Sequence, residues 1–364
     1  MFKTESLLLK THASDVIAQS SQVEVGLPSI SVVIPTRDRV EDLTSLLQTL
    51  LQQTYSPKEV IIVDDSDPSN SAKGIAHFFN PQFSSINCKL KYVKGSSEGL
   101  TKSRNVGITF SESDVVFFAD DDILLFPQVL HGIASFFSEN KLALGIQPKI
   151  ISTKAPQSLS VNERLENIFY RIFMLNYFKK NTLSVQRSGL SVFPSESTEV
   201  FLAKRLSGCC FCFRRAVFVE QIFDNNLKRY GFMEDQDFSY RLYKKYPNSL
   251  YVLPWPEILH KTSDVARLPS KLSTQMKTIY WFYVFFKDVL DGSLKNLLAF
   301  SWALTGNVAL TILSLVSKRK NKKAWWILID LLGSYKLAFK NLKSLLSGQL
   351  EFFDRFIQGD SKDR

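Results

Sequence analysis

Four short apolar segments, each followed by polar or acidic residues, are the feature that most constrains how this chain folds. They read ISVVIPT (30–36), EVIIVDD (59–65), KLKYVKG (89–95) and DVVFFADDD (114–122), and helical patterns follow the first and the third. Continuous apolar runs of this length are typical of strands buried on both faces of a parallel sheet. The alternation of strand and helix therefore predicts a doubly wound α/β fold.

The residues at the ends of these strands predict where the chain carries its chemistry. Three of the strands end in Pro-Thr-Arg (35–37), Asp-Asp-Ser (64–66) and Asp-Asp-Asp (120–122). In open α/β sheets, ligands bind beyond the carboxyl ends of the strands. We therefore expect one polar ligand site along this edge of the sheet.

The acidic triplet Asp120, Asp121 and Asp122 interrupts an otherwise apolar segment, FFADDDILLF. Like charges at this spacing repel one another and resist burial, so a positive group is expected against them. Residues i and i+2 of a strand project to the same side, which predicts that Asp120 and Asp122 reach one hard divalent cation. The alternative is a solvated acidic loop that holds no metal.

Two further segments carry residues suited to a nucleotide. The carboxylates of Asp64 and Asp65 can accept hydrogen bonds from a base imide or a ribose hydroxyl, or they can simply form a turn. In GLTKSRN, Gly99 permits a close approach, while Lys102 and Arg104 begin a helix whose N-terminus favours anions. The alternative for that segment is an ordinary capped helix without a ligand.

Two more candidates lie in the later part of the chain. Glu234 and Asp235 stand at a predicted helix start in MEDQD, where acids are stabilised by the helix dipole even without a catalytic role. A carboxylate there could also act as a general base and take the proton from an attacking hydroxyl. His260, in LPWPEILHKTS, is a candidate metal ligand or phosphate contact, with a structural histidine as the alternative.

Five motifs occur in a fixed order along the chain: PTRDR, VDDSD, GLTKSRN, FADDD and MEDQD. In this order they resemble the inverting family 2 glycosyltransferases with the GT-A fold, a Rossmann-like doubly wound mixed sheet. The resemblance covers about residues 29–262 and implies an enzyme that transfers glycosyl groups. The QxxRW motif of the processive polysaccharide synthases is missing from the sequence, which favours the addition of one or a few sugars.

The resemblance also implies a role for each candidate residue. Asp120 and Asp122 match the DxD motif that holds Mg²⁺ or Mn²⁺ against the diphosphate of a nucleotide sugar, and His260 is the candidate for a further metal ligand. Asp235 matches the catalytic base of the family. The residues expected to contact the nucleotide sugar are Pro35, Thr36, Arg37, Asp64, Asp65, Gly99, Lys102, Arg104, Asp120, Asp121 and Glu234.

These roles predict a metal-assisted, inverting transfer of a sugar from a nucleotide-diphosphate sugar, with a UDP-sugar as the expected donor. The expected acceptor is a hydroxyl of a saccharide or lipid-linked saccharide in polysaccharide biosynthesis. The alternative is a catalytically degenerate nucleotide-sugar-binding protein or a scaffold of a polysaccharide assembly complex. A dehydrogenase is disfavoured because PTRDR stands where G-x-G-x-x-G would follow the first strand.

The formal net charge of +10 implies affinity for an anionic partner. Nucleic acid is not expected as that partner, because the basic residues are scattered and acids occupy the predicted cleft. Cys88, Cys209, Cys210 and Cys212 have neither a disulfide framework nor a zinc-binding spacing. We expect them to be small buried hydrophobic residues in a reducing compartment.

Aromatic and basic residues set the C-terminal part of the chain apart. The uncharged segment 296–317 is long enough to cross a bilayer, and the basic run KRKNKK (318–323) follows it. A hairpin that turns at Gly306-Asn307, or helices that lie in the membrane plane, would keep both flanks on the cytosolic side. Residues 276–332 are therefore predicted to bind an anionic membrane surface, with a soluble helical extension or a dimer interface as the alternative.

These patterns divide the chain into three parts. Residues 1–28 are predicted to be an N-terminal leader without a cleavable signal pattern. Residues 29–265 are the predicted GT-A catalytic domain, with a nucleotide-sugar half at about 29–125 and an acceptor half at about 126–265. Residues 266–364 are the predicted membrane-associating helical region. The protein is expected to be cytoplasmic, and peripheral or monotopic at the inner face of the cell membrane.

Overall fold

The computed structural model describes residues 26–152, 161–263, 270–317 and 322–354. Nearly all of the predicted leader lies outside the described residues, as does most of the basic run that begins at Lys318. Within the described ranges the chain folds into a large mixed sheet covered by helices, a small second sheet, and a helical layer near the C-terminus.

Twelve strands in the described residues form these two sheets. In chain order they are β1 (Ile30–Thr36), β2 (Glu59–Asp64), β3 (Lys89–Lys94), β4 (Val115–Ala119), β5 (Ile123–Leu125), β6 (Gly145–Ser152), β7 (Tyr177–Lys179), β8 (Ser184–Val185), β9 (Ser191–Pro194), β10 (Phe201–Leu202), β11 (Cys210–Arg214) and β12 (Leu250–His260). The large sheet has the order β10-β12-β6-β11-β4-β1-β2-β3, with β5 paired to β12, and the small sheet has the order β7-β9-β8.

The four strands expected from the sequence lie side by side and parallel, in the order β4-β1-β2-β3. Thr36 is the register partner of Asp64, so the polar ends of β1 and β2 meet at one edge of the sheet, as predicted. β11 runs antiparallel to both of its neighbours, β4 and β6, which makes the sheet mixed. The predicted fold class, a doubly wound mixed α/β sheet with a C-terminal helical extension, is confirmed.

Two apolar cores lie on opposite faces of the large sheet, because alternate residues of a strand project to opposite sides. Val32 packs in one core with Leu43, whereas Val33 packs in the other core with Phe238. The helices are α1 (Val40–Leu51), α2 (Lys73–Ser85), α3 (Leu100–Phe110), α4 (Val129–Glu139), α5 (Val161–Ile172), α6 (Val217–Glu220), α7 (Glu234–Lys245), α8 (Ser270–Val284), α9 (Leu294–Ser317), α10 (Lys322–Lys340) and α11 (Leu342–Leu346), with a π-helical turn at Phe285–Val289.

The first helix, α1, buries one stripe of leucines spaced three and four residues apart, Leu43, Leu46, Leu47 and Leu50. The spacing of Asp38 and Glu41 suggests a capping box, but this box does not form, since α1 begins after Arg39 and has no side-chain hydrogen bond at its N-cap. Asp38 instead has a left-handed backbone (φ 55°), and its Oδ1 accepts the N–H of Asp67 at 3.3 Å. Asp38 thus connects the loops after β1 and β2.

The C-terminal helical layer, α8 to α11 with the π-helical turn between α8 and α9, has its own aromatic core. The rings of Phe285 and Phe300 stack with their centroids 4.0 Å apart, and Trp281 packs edge-on against Phe300. The indole N–H of Trp281 also donates to the carbonyl of Ser188 at 2.8 Å, so the layer packs directly on the segment between β8 and β9.

Helix α9 is continuous from Leu294 to Ser317, so the predicted hairpin turn at Gly306-Asn307 is wrong. Gly306 has a packing role instead of a turning role, because a Cβ there would lie 2.3 Å from the side chain of Phe173. Among the described helices, α9 alone is apolar and long enough to cross a membrane, over Leu294–Leu315. In the most apolar part of this helix, 28% is buried inside the protein.

A buried group of charges joins α7 to the C-terminal helical layer. The ammonium of Lys287 lies 2.5 Å from a carboxylate oxygen of Asp224 and 2.5 Å from one of Asp237. Arg241 holds the other oxygen of Asp237 at 2.7 Å. Asp237, the last acid of MEDQD, therefore connects the helical layer to the helix that begins with Glu234 and Asp235.

The four cysteines are free thiols, as expected. Cys88, Cys210 and Cys212 are buried, and Cys209 is partly buried. Burial raises the pKa of the Cys88 thiol to about 12, which keeps it protonated and unreactive at neutral pH. These residues act as small apolar side chains, as the sequence predicts.

Candidate active site

The acidic triplet lies in a turn between β4 and β5, since β4 ends at Ala119 and β5 begins at Ile123. The argument from strand alternation is therefore wrong for Asp120 and Asp122. Burial raises the pKa of Asp120, and the guanidinium of Arg104 opposes this effect only in part. The charge on Asp122 raises the pKa of Asp120 further, so the two carboxylates remain close to each other. The triplet divides into three side chains with three different sets of partners.

The middle carboxylate, Asp121, is buried and faces the loop after β1. Its two oxygens accept the hydroxyl of Thr36 at 2.8 Å and a guanidinium N–H of Arg39 at 3.0 Å. Burial raises the pKa of Asp121 to about 7, and these two donors only partly offset it. Arg39 also donates to the hydroxyl of Tyr230 at 2.8 Å, so this cation spans the cleft between the two halves of the domain.

The third carboxylate, Asp122, pairs with the end of the last strand. Its Oδ1 lies 3.2 Å from Nε2 of His260, and its Oδ2 accepts the backbone N–H of Ser263 at 2.9 Å. Burial opposes ionisation, but these partners outweigh it and lower the pKa of Asp122 to about 2. Burial likewise lowers the pKa of His260, yet the hydrogen bond to Asp122 raises it to about 9. The structure thus brings together two of the three predicted metal ligands in one ion pair.

The first carboxylate, Asp120, is joined to the second half of the domain by Arg104. One guanidinium nitrogen lies 3.1 Å from Oδ1 of Asp120 and 2.8 Å from the carbonyl oxygen of Gly208, and the other lies 2.7 Å from Oε1 of Glu234. Arg104 is completely buried. A direct phosphate contact by Arg104 is therefore not supported, and its role is to hold Asp120 and Glu234 in place.

Burial raises the pKa of Glu234, and the neighbouring charge of Asp235 raises it further against the opposing effect of Arg104. Asp235 itself keeps about one-sixth of its side chain exposed to the cleft, at 17%. Its Oδ2 accepts a guanidinium N–H of Arg205 at 2.5 Å and the backbone N–H of Gly208 at 2.9 Å. Asp235 is thus held by two donors from the loop before β11.

Arg205 is a site residue that the sequence analysis did not single out. It is buried, donates to the hydroxyl of Ser191 at 2.5 Å as well as to Asp235, and lies over the ring of Phe193. The residue stands outside the five ordered motifs, in KRLSG, and nothing in the sequence pairs it with Asp235. Arg39, by contrast, lies within the motif PTRDR, of which only Pro35, Thr36 and Arg37 are predicted site residues.

The two acids after β2 are both buried but have different partners. Asp64 is completely buried, and its oxygens accept hydrogen bonds from Ser66, Ser71, Ala72 and Tyr92. A nucleotide contact by Asp64 is therefore not supported, because its carboxylate closes the turn that leads into α2. Asp65 keeps 7% of its surface exposed, and its oxygens accept the N–H of Ser97 at 3.0 Å and the hydroxyl of Ser103 at 2.8 Å.

The glycine expected to approach phosphate approaches protein backbone instead. Gly99 has φ 115°, and a Cβ there would lie 2.2 Å from the backbone nitrogen of Arg229. Leu100 N–H donates to the carbonyl of Arg229 at 2.8 Å, so this segment covers the N-terminus of α3. Pro35 is buried within β1, Arg37 is exposed, and Lys102 is partly exposed on α3. Of these residues, Arg37 and Lys102 have exposed side-chain surface that a ligand could contact.

The donor set of the acidic turn fits a hard divalent cation. Asp120 and Asp122 offer carboxylate oxygens and His260 offers an imidazole nitrogen, and a Mg²⁺ site in proteins often uses one or two carboxylates with substrate phosphates for the rest. In the described part of the chain, no three acidic, cysteine or histidine side chains stand close enough to hold a metal by themselves. The fit therefore requires oxygen ligands from outside the protein.

Comparison with known proteins supports this interpretation of the fold. Residues 31–201 match the family described as glycosyl transferase family 2. The matching segment, a little under half of the chain, is similar to that family. The predicted resemblance is thereby confirmed, and the protein is a glycosyltransferase. A search of curated protein sequences returns no match for this glycosyltransferase.

Solved structures with a similar fold include other glycosyltransferases. The S. aureus TarS 1–349 structure is 20% identical and covers 87% of this chain and 83% of its own, with a TM-score of 0.51. GalNAc-T7, solved with UDP, GalNAc and Mn²⁺, is 15% identical and covers 78% of this chain and 55% of its own, with a TM-score of 0.51. At these identities the likeness shows that this glycosyltransferase shares their fold.

Proposed function

We propose that this glycosyltransferase moves a sugar from a nucleotide-diphosphate sugar, with a UDP-sugar as the expected donor, to a hydroxyl of a saccharide or lipid-linked saccharide, with inversion. The observation that carries the proposal is a chain of ionic contacts that runs from Asp120 through Arg104 to Glu234. Asp235 follows Glu234 directly. The acid assigned to the metal and the acid assigned to the base are thus held in one frame.

Asp235 is the proposed general base. Arg205 and Gly208 occupy one of its oxygens, while the other accepts only the N–H of Gln236 among the hydrogen bonds that the described residues make to it. A carboxylate oxygen has two lone pairs, so that second oxygen can still accept a proton from an acceptor hydroxyl. Holding the acceptor in line with the donor supplies a large part of the acceleration.

The donor is proposed to lie between the loop after β2 and the acidic turn. Asp65 would contact the base or the ribose, and the positive charges of Arg37 and Lys102 would lie near the phosphates. Asp120, Asp122 and His260 would hold Mg²⁺ or Mn²⁺, which when bound neutralises charge on the departing diphosphate. GalNAc-T7, which shares the fold, is reported with UDP and Mn²⁺, in agreement with this choice of donor and metal.

A metal is ligated by the neutral form of imidazole, whereas the hydrogen bond to Asp122 favours the protonated form of His260. Metal binding at this ion pair is therefore expected to release a proton from His260. This is consistent with a site in which His260 balances the charge of Asp122 until the donor and its metal arrive.

The proposed location of the glycosyltransferase is the inner face of the cell membrane. Residues 276–332 are proposed to bind an anionic membrane surface, and the apolar helix α9 within this range supports the proposal. A lipid-linked acceptor would be consistent with such a location. The proposed division of the chain remains a catalytic domain at 29–265 followed by this membrane-associating region.

The test is donor hydrolysis and donor binding across a panel of nucleotide sugars, with Mn²⁺, Mg²⁺ or a chelator present. We expect metal-dependent cleavage of one donor and its loss in Asp122→Asn and Asp235→Asn. Asp67→Asn is the matched control, since this exposed acid belongs to VDDSD and should leave cleavage unchanged. Full activity of either site variant would contradict the assignment. Metal-dependent binding without transfer to any of a panel of acceptors would favour the degenerate binding protein.

A further inference from the structure

Helix α5, in the acceptor half of the catalytic domain, carries an apolar stripe on its exposed side. Leu165, Ile168, Phe169 and Ile172 are each 44–54% exposed. Their spacing of three and four residues places them on one face of the helix. A protein surface rarely presents so many large apolar side chains together unless something covers them.

Helices α9 and α10 present similar stripes. On α9 the exposed apolar residues include Leu298, Trp302 and Leu313, which recur along the whole length of the helix. On α10, Trp325 and Ile329 begin a stripe that ends at Phe339. The two helices pack against each other, and the amide of Asn307 donates to the hydroxyl of Tyr335 at 3.1 Å.

The stripe of α5 is continuous with the stripe of α9. The indole N–H of Trp302 donates to the carbonyl of Ile172 at 2.9 Å, and the rings of Trp302 and Phe173 lie 5.1 Å apart. Gly306 permits this contact because any side chain there would collide with Phe173. A residue of α9 that is itself half exposed thus meets the end of α5.

We propose that the exposed faces of α5, α9 and α10 form one docking surface for an anionic lipid bilayer, on which α9 lies along the membrane and does not cross it. The proposal rests on the proposed membrane association of residues 276–332 and extends it in two ways. It adds a helix of the catalytic domain to the membrane contact, and it fixes the orientation of α9.

The packing of α9 excludes a crossing orientation for the folded molecule. Ala299, Phe300 and Ala303 are buried against α8 and the π-helical turn, with Phe300 stacked on Phe285. For α9 to cross a bilayer, this face would have to leave the aromatic core of the C-terminal helical layer. The exposed face can meet lipid while the buried face stays where it is.

The charges around this surface favour an anionic bilayer over a second copy of the chain. Exposed basic residues flank the stripes on all three helices and outnumber the acidic residues there, which are Glu163, Glu166 and Asp330. Two copies of this net basic surface would repel each other. Tryptophan side chains among the exposed apolar residues suit the interface between lipid tails and head groups. The flanking basic residues are Arg164, Arg171, Lys295, Lys336 and Lys340.

The experiment is flotation of the full chain with vesicles of phosphatidylcholine alone or with added phosphatidylglycerol. The test variant is Leu165→Ser with Phe169→Ser, which removes half of the α5 stripe. The matched control is Leu142→Ser with Phe78→Ser, the same two residue types at positions outside the three helices that are even more exposed. Chemical denaturation is measured on every variant to show that each has folded.

We expect the full chain and the control to float with the anionic vesicles, and to float less with phosphatidylcholine alone. The α5 variant should show a membrane partition coefficient lower by about tenfold, because two large apolar side chains no longer enter the interface. Flotation of the α5 variant equal to that of the control would overturn the proposal, since a crossing α9 would hold the protein regardless of α5.

A lipid-free dimer that the α5 variant converts to a monomer, measured by light scattering, would also overturn it and assign the surface to a second copy. The proposed chemistry is tested separately. A chain that floats as expected but cleaves no nucleotide sugar would contradict the proposed transfer and leave the docking surface standing.

Discussion

The acidic cleft buries charged side chains, whereas the C-terminal helical layer exposes apolar ones. In the cleft, Asp120, Asp121 and Asp122 each have a cationic partner: Arg104, Arg39 and His260 respectively. In the helical layer, the aromatic core around Phe285 is complete, yet Trp302, Trp325 and Trp326 remain on the outside.

The difference shows what each region still lacks. Buried charges are tolerated only when partners compensate for lost hydration, and the cleft supplies those partners from within the chain. Exposed apolar area is tolerated poorly in water, and within the described residues no group covers the outer face of the helical layer. The cleft is therefore organised before a ligand arrives, while the outer face of the layer is the surface that we propose to dock on a bilayer.

Removing the central cation of the cleft should have the largest effect. Arg104→Met leaves the buried Glu234 and the partly buried Asp120 without their shared partner, which should lower the free energy of unfolding by about 3–5 kcal/mol and abolish transfer. Chemical denaturation of this variant and of the exposed control Arg37→Met measures the difference. Equal stability of the two variants would show that the cleft does not depend on its buried ion pairs.

A smaller effect is expected at Arg205, which positions the proposed base. Arg205→Met should lower kcat about 100-fold with little change in KM for the donor, because a misplaced carboxylate affects the reaction more than donor binding. Arg205→Lys should recover part of kcat, since it retains a cation near Asp235. A loss of donor binding with kcat unchanged would assign Arg205 to the donor site instead.

The junction between the two regions provides the next test. Lys287→Met removes the cation shared by Asp224 and Asp237 and should lower the free energy of unfolding by about 1–3 kcal/mol. The matched control, Lys245→Met, breaks an exposed pair with Glu220 and should lower the free energy of unfolding far less, because water screens that pair. Denaturation curves compare the two variants. A similar cost for both would mean that the helical layer is not fastened to α7 through this cation.

The smallest effect is expected at the opposite end of the sheet, where Glu59 is buried without a role in the site. Burial raises its pKa, but Lys91, Ser31 and the N–H of Glu112 outweigh burial and lower it below the ordinary value of 4.5. A lowered pKa in the folded state contributes stability above about pH 4.5, and that contribution is lost as the pH falls through the lowered value.

The free energy of unfolding should therefore fall less in Glu59→Gln than in the unaltered chain when the pH is lowered from neutral to about 3. The expected difference between the two proteins is about 1 kcal/mol. Denaturation at the two pH values, for the variant and for the unaltered chain, measures this change. An identical decline in both proteins would assign the acid sensitivity to the carboxylates of the cleft.

The parts of the fold that depend on local pattern could be predicted from the sequence. The strands β1 to β4 follow from continuous apolar runs, and the buried face of α1 follows from the spacing of its leucines. The polar edge of the sheet also follows, since parallel strands bring their carboxyl ends together. The continuous course of α9 through Gly306-Asn307 did not follow, because it depends on contact with Phe173.

The candidate site was predictable as a set of acids but not as a set of partners. The ordered motifs identified Asp120, Asp122 and Asp235, whereas the buried positions of Asp64 and Arg104 depend on how two distant segments meet. Arg205 lies in no recognisable motif, and only the fold brings it to Asp235. Sequence periodicity describes one element at a time, so it cannot assign a charge to its counterion in another element.

The contacts of Arg104 have a consequence for the order in which the enzyme is made. Asp120 directly follows β4 and is synthesised early, whereas Gly208, Glu234 and His260 are synthesised more than 80 residues later. A nascent chain that has released only the first four strands already contains Arg39 and Arg104, but it lacks the carbonyl of Gly208, Glu234 and His260. The acidic turn therefore gains its full set of partners only after β12 has left the ribosome.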